Sequence, residues 1–288
     1  MSKNRKQQIR LRDGRLLGYD QYGDAGGEAV IFMHGFPGSR LDWQMFDQDR
    51  VAGDLGARLI AVDRPGMGLS DYQRGRELLD WPDDVAELAN QLGLDRFAVL
   101  AVSGGGPYGA ACAMKIPGRV MRTAIVCGMG PREAPGAAEG GSWTLPAKPS
   151  LVRRALLVMM AQAVRSRPER MEPQFLETVS AVDRALLQRR PELLKMSLDS
   201  WREAFRSGTG GASLDAALYT RPWGFELQEI AAEVHLWHGG NDKNVPLSVG
   251  RYVAAQIPGC RATFYEEEGH FSLPYNYMRE ILGVLVGR

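Results

Sequence analysis

Four short apolar runs recur in the first half of the chain, and each is bounded by Gly, Pro or Asp: 29–33, 58–62, 97–102 and 123–126. Between the second and third runs, Val85, Leu88, Ala89 and Leu92 follow helical spacing and end at Gly93. Short buried strands that alternate with helices are typical of a parallel sheet with crossover helices. The pattern therefore predicts an α/β fold.

The second half changes character and then returns to the strand pattern. A Pro- and Gly-rich segment, 131–149, predicts a linker or mobile loop, and only helical patterns follow until about residue 219. Strand patterns resume at 234–237 and 262–265, and 278–286 predicts a terminal helix. We therefore predict one α/β core formed by residues 1–130 and 223–288, with residues 131–222 inserted as a helical cap. An opening hairpin is predicted at 9–11 and 16–22.

Composition narrows the class of protein. Of the 288 residues, 35 are Lys or Arg and 34 are Asp or Glu, and the net charge of +1 gives no reason to expect a nucleic-acid partner. No run approaches the ~20 apolar residues of a membrane-spanning helix, so we expect no membrane span. Three scattered cysteines do not form a disulfide framework and are typical of a reducing cytoplasm. The sequence does not indicate an oligomeric state.

The run 97–102 ends on Ser103, which Gly104, Gly105 and Gly106 follow. A strand-to-helix turn with small neighbours exposes a serine hydroxyl, as in the motif G-x-S-x-G, although Ala101 stands in place of the first glycine. A phosphate-binding loop is the alternative, but the Lys and Ser/Thr of the Walker pattern are missing. A plain tight turn also remains open.

A nucleophilic serine needs a base, and the chain has four histidines. His270 lies on a loop after the last predicted strand, where it can meet a serine at a strand end. Asp242 lies in the turn after 234–237 and is the candidate acid, although an aspartate in such a turn can also be purely structural. The order Ser103, Asp242, His270 is that of nucleophile, acid and base in the α/β-hydrolases.

An oxyanion site needs backbone donors beside the serine. His34, Gly35, Phe36 and Pro37 follow the strand 29–33, so the N–H groups of Phe36 and Gly104 are the predicted donors. The same loop is also compatible with an ordinary strand-to-helix turn.

Four motifs in order carry a resemblance: 34–37, the segment Asp63-Arg64-Pro65-Gly66-Met67-Gly68-Leu69-Ser70, the Ser103 turn, and Asp242 with Gly269-His270. The sequence resembles the α/β-hydrolase superfamily, in the branch of esterases, lipases, haloperoxidase-like and C–C hydrolases. The resemblance implies a mostly parallel central sheet flanked by helices, no metal and no organic cofactor, and a structural role for residues 63–70. Dehalogenating and epoxide-opening relatives have an aspartate where this chain has Ser103, so those reactions are disfavoured.

These residues predict hydrolysis of a small to medium, largely apolar carboxylic ester through an acyl-enzyme on Ser103. The alternatives are a ligand sensor that keeps the triad but turns over slowly, or a hydrolase of thioester, lactone or C–C diketone substrates. Every residue with a predicted chemical role lies outside 131–222, so we expect the cap to act only by selecting the small-molecule substrate. Its candidate pocket residues are Trp143, Met159, Met160 and Trp201, although such side chains also serve merely to pack cap helices.

Overall fold

The computed structural model describes residues 6–46, 50–148 and 150–288. Eight strands form one sheet in the order β1-β2-β4-β3-β5-β6-β7-β8. β1 pairs with β2, and β2 with β4, in antiparallel fashion, and the other neighbours are parallel. The strands are β1 Gln7–Arg10, β2 Leu16–Gly23, β3 Glu28–Met33, β4 Ala57–Val62, β5 Phe97–Val102, β6 Val120–Val126, β7 Val234–Gly239 and β8 Arg261–Tyr265.

Helices flank both faces of the sheet. The α-helices are α1 Val51–Asp54, α2 Trp81–Gln91, α3 Gly106–Lys115, α4 Gly141–Thr144, α5 Ser150–Ser166, α6 Met171–Thr178, α7 Ala181–Arg189, α8 Pro191–Ala204, α9 Gly210–Tyr219, α10 Leu247–Gln256 and α11 Ser272–Leu285. Short 3₁₀ helices cover Arg40–Met45, Leu78–Asp80, Ser103–Gly105, Ala137–Glu139, Pro168–Arg170 and Leu227–Glu229.

The core lies on both faces of the sheet because successive strand residues point to opposite sides. On β5, Val99 belongs to the cluster that includes residues of α2, α3 and α10, whereas Leu100 belongs to the cluster with α1 and α11. All six β5 residues are buried. A strand covered on both faces reads as a continuous apolar run, which is why the sequence showed no alternation there.

The mostly parallel sheet flanked by helices confirms the predicted fold class. The terminal helix begins at Ser272, six residues before its predicted start. Pro274 looks like a helix breaker, but it lies in the first turn, where a missing N–H costs nothing. Helix α10 was not predicted.

The segment 131–149 was predicted as a linker or mobile loop rather than a packed element, but its described residues 131–148 include packed helical turns. The N–H groups of Gly141 and Ser142 donate to the carbonyls of Lys243 and Asn244, and Ala137 is buried. Gly140 has no room for a side chain, since a Cβ there would lie 2.5 Å from the Asn244 carbonyl oxygen. The glycines therefore permit close packing against the loop after β7.

Helices α4 to α9 all lie between β6 and β7 in the chain. The amphipathic stripe of α8 is buried, with Leu194, Leu198 and Phe205 under 10% exposed. The division into a core and a cap domain stays a prediction. Within the described ranges, no helix combines the length and apolar character needed to cross a bilayer.

Candidate active site

Ser103 stands on a tight turn between β5 and α3. Its φ of 54° lies in the left-handed region, which costs a residue with a Cβ free energy unless its surroundings impose it. The turn is packed closely against β3, because a Cβ on Gly105 would lie 2.4 Å from the Met33 carbonyl oxygen. Ala101 is accommodated across from Gly109, where a Cβ would come within 2.6 Å of the Ala101 methyl. The glycine missing before the serine is thus offset by a glycine on the facing helix.

His270 links Ser103 to Asp242. Its Nε2 lies 3.0 Å from the Ser103 Oγ, and its Nδ1 lies 2.8 Å from Oδ2 of Asp242. The other carboxylate oxygen of Asp242 accepts N–H bonds from Asn244 and Val245, each of 2.8 Å. β5, β7 and β8 are parallel, so the loops at their carboxyl ends meet at one edge of the sheet. This edge brings together three residues that are 28 to 167 positions apart.

Burial and charge act in opposite directions on this pair. Burial alone would lower the pKa of His270, but the Asp242 carboxylate raises the pKa above its ordinary value of 6.5. Burial alone would raise the pKa of Asp242, but His270 and the hydrogen bonds to the carboxylate lower it. Asp242 therefore remains ionised and favours the proton on Nδ1 of His270, which leaves Nε2 free to accept the serine proton.

The other three histidines do not face Ser103. His34 is buried, and its Nε2 accepts the N–H of Arg64. His238 is buried with Nε2 2.8 Å from the Val245 carbonyl oxygen, and burial lowers its pKa. His235 pairs with Glu233. Their positions agree with packing or structural roles.

The loop after β3 lies directly against Gly104. A Cβ on Gly104 would lie 2.6 Å from Cβ and 3.1 Å from the backbone nitrogen of Phe36. Any larger residue at position 104 would push this loop away. The structure thus brings the backbone of Phe36 and Gly104 together beside Ser103.

A buried charge network holds that loop from behind. Arg64 donates to the carbonyls of His34 and Gly35 and also to Asp215 on α9. Burial would raise the pKa of Asp215, but Arg64 and Arg76 hold it below its ordinary value. Tyr219, at the end of α9, donates to the Gly104 carbonyl. Two residues between β6 and β7 therefore brace the backbone around Ser103.

Asp183 of α7 bonds directly to the backbone of residues 270–272, which include His270. Its Oδ2 accepts the N–H of His270, and its Oδ1 accepts the N–H groups of Phe271 and Ser272, all at 2.9 Å. Asp183 is 1% exposed, and a Cβ on Gly269 would collide with its carboxylate at 2.3 Å. The expectation that residues 131–222 act only on substrate is wrong on this point, because Asp183 contacts the backbone of His270 itself.

Sequence reasoning missed Asp183 because its local signal has a simpler explanation. Ser180 caps α7, and Asp183 three positions later completes the pattern of a helix N-terminus. The contact with a loop 87 residues away has no sequence signal.

A cavity of about 80 Å³ lies at Ser103 and His270. Its lining is mixed. The apolar side chains include Phe36, Met45, Phe46, Phe175, Trp201 and Phe271, and the polar ones include Asp42, Ser142, Ser197 and Asn244. Trp201 lines it as expected, but Met159 and Met160 do not. Met159 is 65% exposed, because it projects from the outer face of α5. The side chain of Trp143 lies outside the described residues.

Cys127 also lies near the acid and base. One potential ligand atom each of Cys127, Asp242 and His270 falls within 4.8 Å of the others. Burial raises the pKa of Cys127 well above its ordinary value, so the thiol stays protonated, and the other two side chains bind each other. A metal ion at these residues would need a thiolate and an imidazole nitrogen that is free to coordinate it. This set therefore fits a metal poorly.

Comparison with known proteins agrees with this geometry. The family described as "Alpha/beta hydrolase family" matches residues 30–282, so the chain belongs to the α/β-hydrolase family. A 2-hydroxy-6-oxononadienedioate/2-hydroxy-6-oxononatrienedioate hydrolase of Pseudomonas putida is 27% identical over 92% of this chain and 90% of its own length. An esterase from Rhodococcus sp. ECU1013 superposes with a TM-score of 0.71 at 22% identity over 98% of this chain and 97% of that one. An enol-lactonase from Burkholderia xenovorans LB400 superposes with a TM-score of 0.71 at 19% identity, over 98% of this chain and 100% of that one.

Proposed function

We propose that this hydrolase cleaves a small to medium, largely apolar carboxylic ester through an acyl-enzyme on Ser103. The hydrogen-bonded chain from Ser103 through His270 to Asp242 carries the proposal. His270 removes the hydroxyl proton as Ser103 attacks the ester carbonyl, and later returns it to the departing alcohol. The backbone N–H groups of Phe36 and Gly104 stabilise the oxyanion that forms on attack. Water then attacks the acyl-enzyme by the same route.

The cavity supports an ester with a small apolar portion. At about 80 Å³ it is far smaller than the ~300–1,000 Å³ of sites that hold drug-sized ligands, and it is lined by several aromatic side chains beside Ser103. A second candidate substrate is a keto diacid, because the Pseudomonas putida relative is named for a dioate. The described lining residues include no Arg or Lys to bind the two carboxylates, which favours the ester.

The test is steady-state turnover of a panel that spans esters, thioesters, lactones, amides and C–C diketones, with Ser103→Ala as the inert control. We expect short neutral esters to give the highest kcat/KM. A single burst followed by negligible turnover of every compound would contradict a hydrolytic role and favour a ligand sensor. Best turnover of a diketone diacid would instead replace the ester in the proposal.

The pH dependence of kcat/KM should reflect the protonation of His270. Since the base must be neutral, kcat/KM should fall as the pH drops through the pKa of His270, which Asp242 holds above 6.5. The acid limb of the profile should therefore lie above pH 6.5, the ordinary pKa of a histidine. The control is His235→Gln, which removes a histidine remote from Ser103 and should leave the profile unchanged. Activity that stays flat down to about pH 4 would rule out a histidine base.

Trp201 should influence which acyl chain is accepted. It lines the cavity and packs edge-to-face on Phe175, with ring centroids 5.6 Å apart. Trp201→Ala should change the relative kcat/KM for acetyl, butyryl and octanoyl esters by about tenfold or more, because an apolar pocket distinguishes single methylenes by ~1–3 kcal/mol. The exposed Met159→Ala is the matched control. If kcat/KM changes by the same factor for all three esters, Trp201 serves only to pack α8 against its neighbours.

A further inference from the structure

One carboxyl group lines the cavity beside Ser103. Asp42 is 6% exposed and lies in the 3₁₀ helix that follows the Phe36 loop. Among the described lining residues, only Asp42 and His270 have side chains that can carry a charge near neutral pH. When His270 is neutral, as its role as base requires, Asp42 is the remaining charge in the cavity wall.

Two glycines leave space for this carboxylate. A Cβ on Gly38 would lie 2.5 Å from Oδ2 of Asp42, and a Cβ on Gly35 would lie 3.4 Å from it. The same Cβ on Gly35 would lie 3.9 Å from the Ser103 Oγ. One glycine therefore lies between the carboxylate and the serine hydroxyl, and a substrate in this cavity shares it with Asp42.

Neutral donors hold Asp42. Its Oδ2 accepts the N–H of Gly35 at 2.9 Å, and the Ser200 hydroxyl of α8 also bonds to the carboxylate. In the described part of the chain no Lys or Arg forms an ion pair with Asp42, and the nearby Arg64 pairs with Asp215. Burial raises the pKa of Asp42 to about 6, so the group is ionised at pH 8. The Arg64 charge and these hydrogen bonds favour the ionised form, but burial outweighs them, and the desolvated charge acts strongly on another charge nearby.

We propose that Asp42 sets the charge class of the substrate, so that the cavity accepts neutral or cationic groups and rejects those that carry a carboxylate. The proposal rests on the proposed ester hydrolysis at Ser103 and deepens it. An anionic acyl group placed on Ser103 would lie near Asp42, and the described lining residues include no Arg or Lys to bind the added carboxylate. A protonated amine in the same place would be attracted.

The first test compares p-nitrophenyl butyrate with p-nitrophenyl hemiglutarate, an ester with an anionic acyl group, at pH 8. Asp42→Asn keeps the shape and removes the charge. We expect it to raise kcat/KM for the hemiglutarate about tenfold relative to the butyrate. The control is Asp199→Asn, which removes an exposed carboxylate of α8 that pairs with Arg202 and should leave the ratio unchanged. An unchanged ratio in Asp42→Asn would overturn the proposal.

A second test needs neither turnover nor a change at position 42. Binding of butylammonium, butanol and butyrate to Ser103→Ala is measured by calorimetry at pH 8. We expect affinity to fall from the cation to the neutral alcohol to the anion, with about tenfold between the first and the last. If butyrate binds most tightly, the assignment of Asp42 fails. If the order holds but no ester is hydrolysed, the proposed function fails and the role of Asp42 stands.

Discussion

Ser103→Ala and His270→Ala should each lower kcat for the best ester by a factor on the order of 10⁴ or more. In the proposed mechanism the Ser103 hydroxyl is activated through its 3.0 Å contact with His270, so loss of either residue removes the same pathway. The double variant should therefore be little slower than either single one. Steady-state kinetics on folded, purified variants measures all three.

Covalent labelling gives this expectation an independent readout. An activated phosphonate should attach to Ser103 alone, because a base-activated hydroxyl beside oxyanion donors reacts far faster than other serines. The matched control is Ser142→Ala, which removes another serine of the cavity wall. This variant should still be labelled at Ser103. Mapping the adduct to any other residue, or full activity in Ser103→Ala, would refute the assignment of the nucleophile.

Asp183→Asn should lower kcat about a hundredfold with little change in KM. Asp183 accepts three backbone N–H bonds from residues 270–272, and an amide NH₂ turned toward these donors cannot accept them. His270 would then lose its alignment with Ser103, and a displacement near 1 Å can cost ~10²-fold in rate. Substrate contacts remain, so KM should not follow kcat.

The pH profile separates positioning from simple loss of stability. The Asp183 charge contributes to the raised pKa of His270, so its removal should move the acid limb to lower pH. Ser180→Ala is the control, since it removes the cap of α7 and the hydroxyl bond to Oδ2 of Asp183 but keeps the carboxylate and its three bonds to backbone N–H groups. Ser180→Ala should lower the free energy of unfolding by ~1 kcal/mol without moving the acid limb of the pH profile. Equal kinetics in the two variants would show that Asp183 only stabilises the fold.

The amino-acid sequence by itself was enough to predict the architecture and the three proposed reacting side chains. The run 97–102 has the same bounds in β5, because a strand buried on both faces must be apolar throughout. Ser103, Asp242 and His270 were predictable because each follows a strand, and parallel strands bring their carboxyl ends to one edge. The sheet topology turns positions distant in sequence into neighbours. Local patterns are enough to indicate such a topology.

Only the tertiary structure decided what surrounds those side chains. Asp42 is one acidic residue among 34 in the sequence, and only packing places it in the wall of the cavity beside Ser103. Asp183 resembles an ordinary helix-capping residue, yet its carboxylate bonds to a loop 87 residues away. Met159 shares its apolar character with the cavity residues but faces solvent. Such contacts depend on the angles at which helices pack, which local periodicity does not encode, so sequence patterns identified the reacting groups but not the side chains that position them.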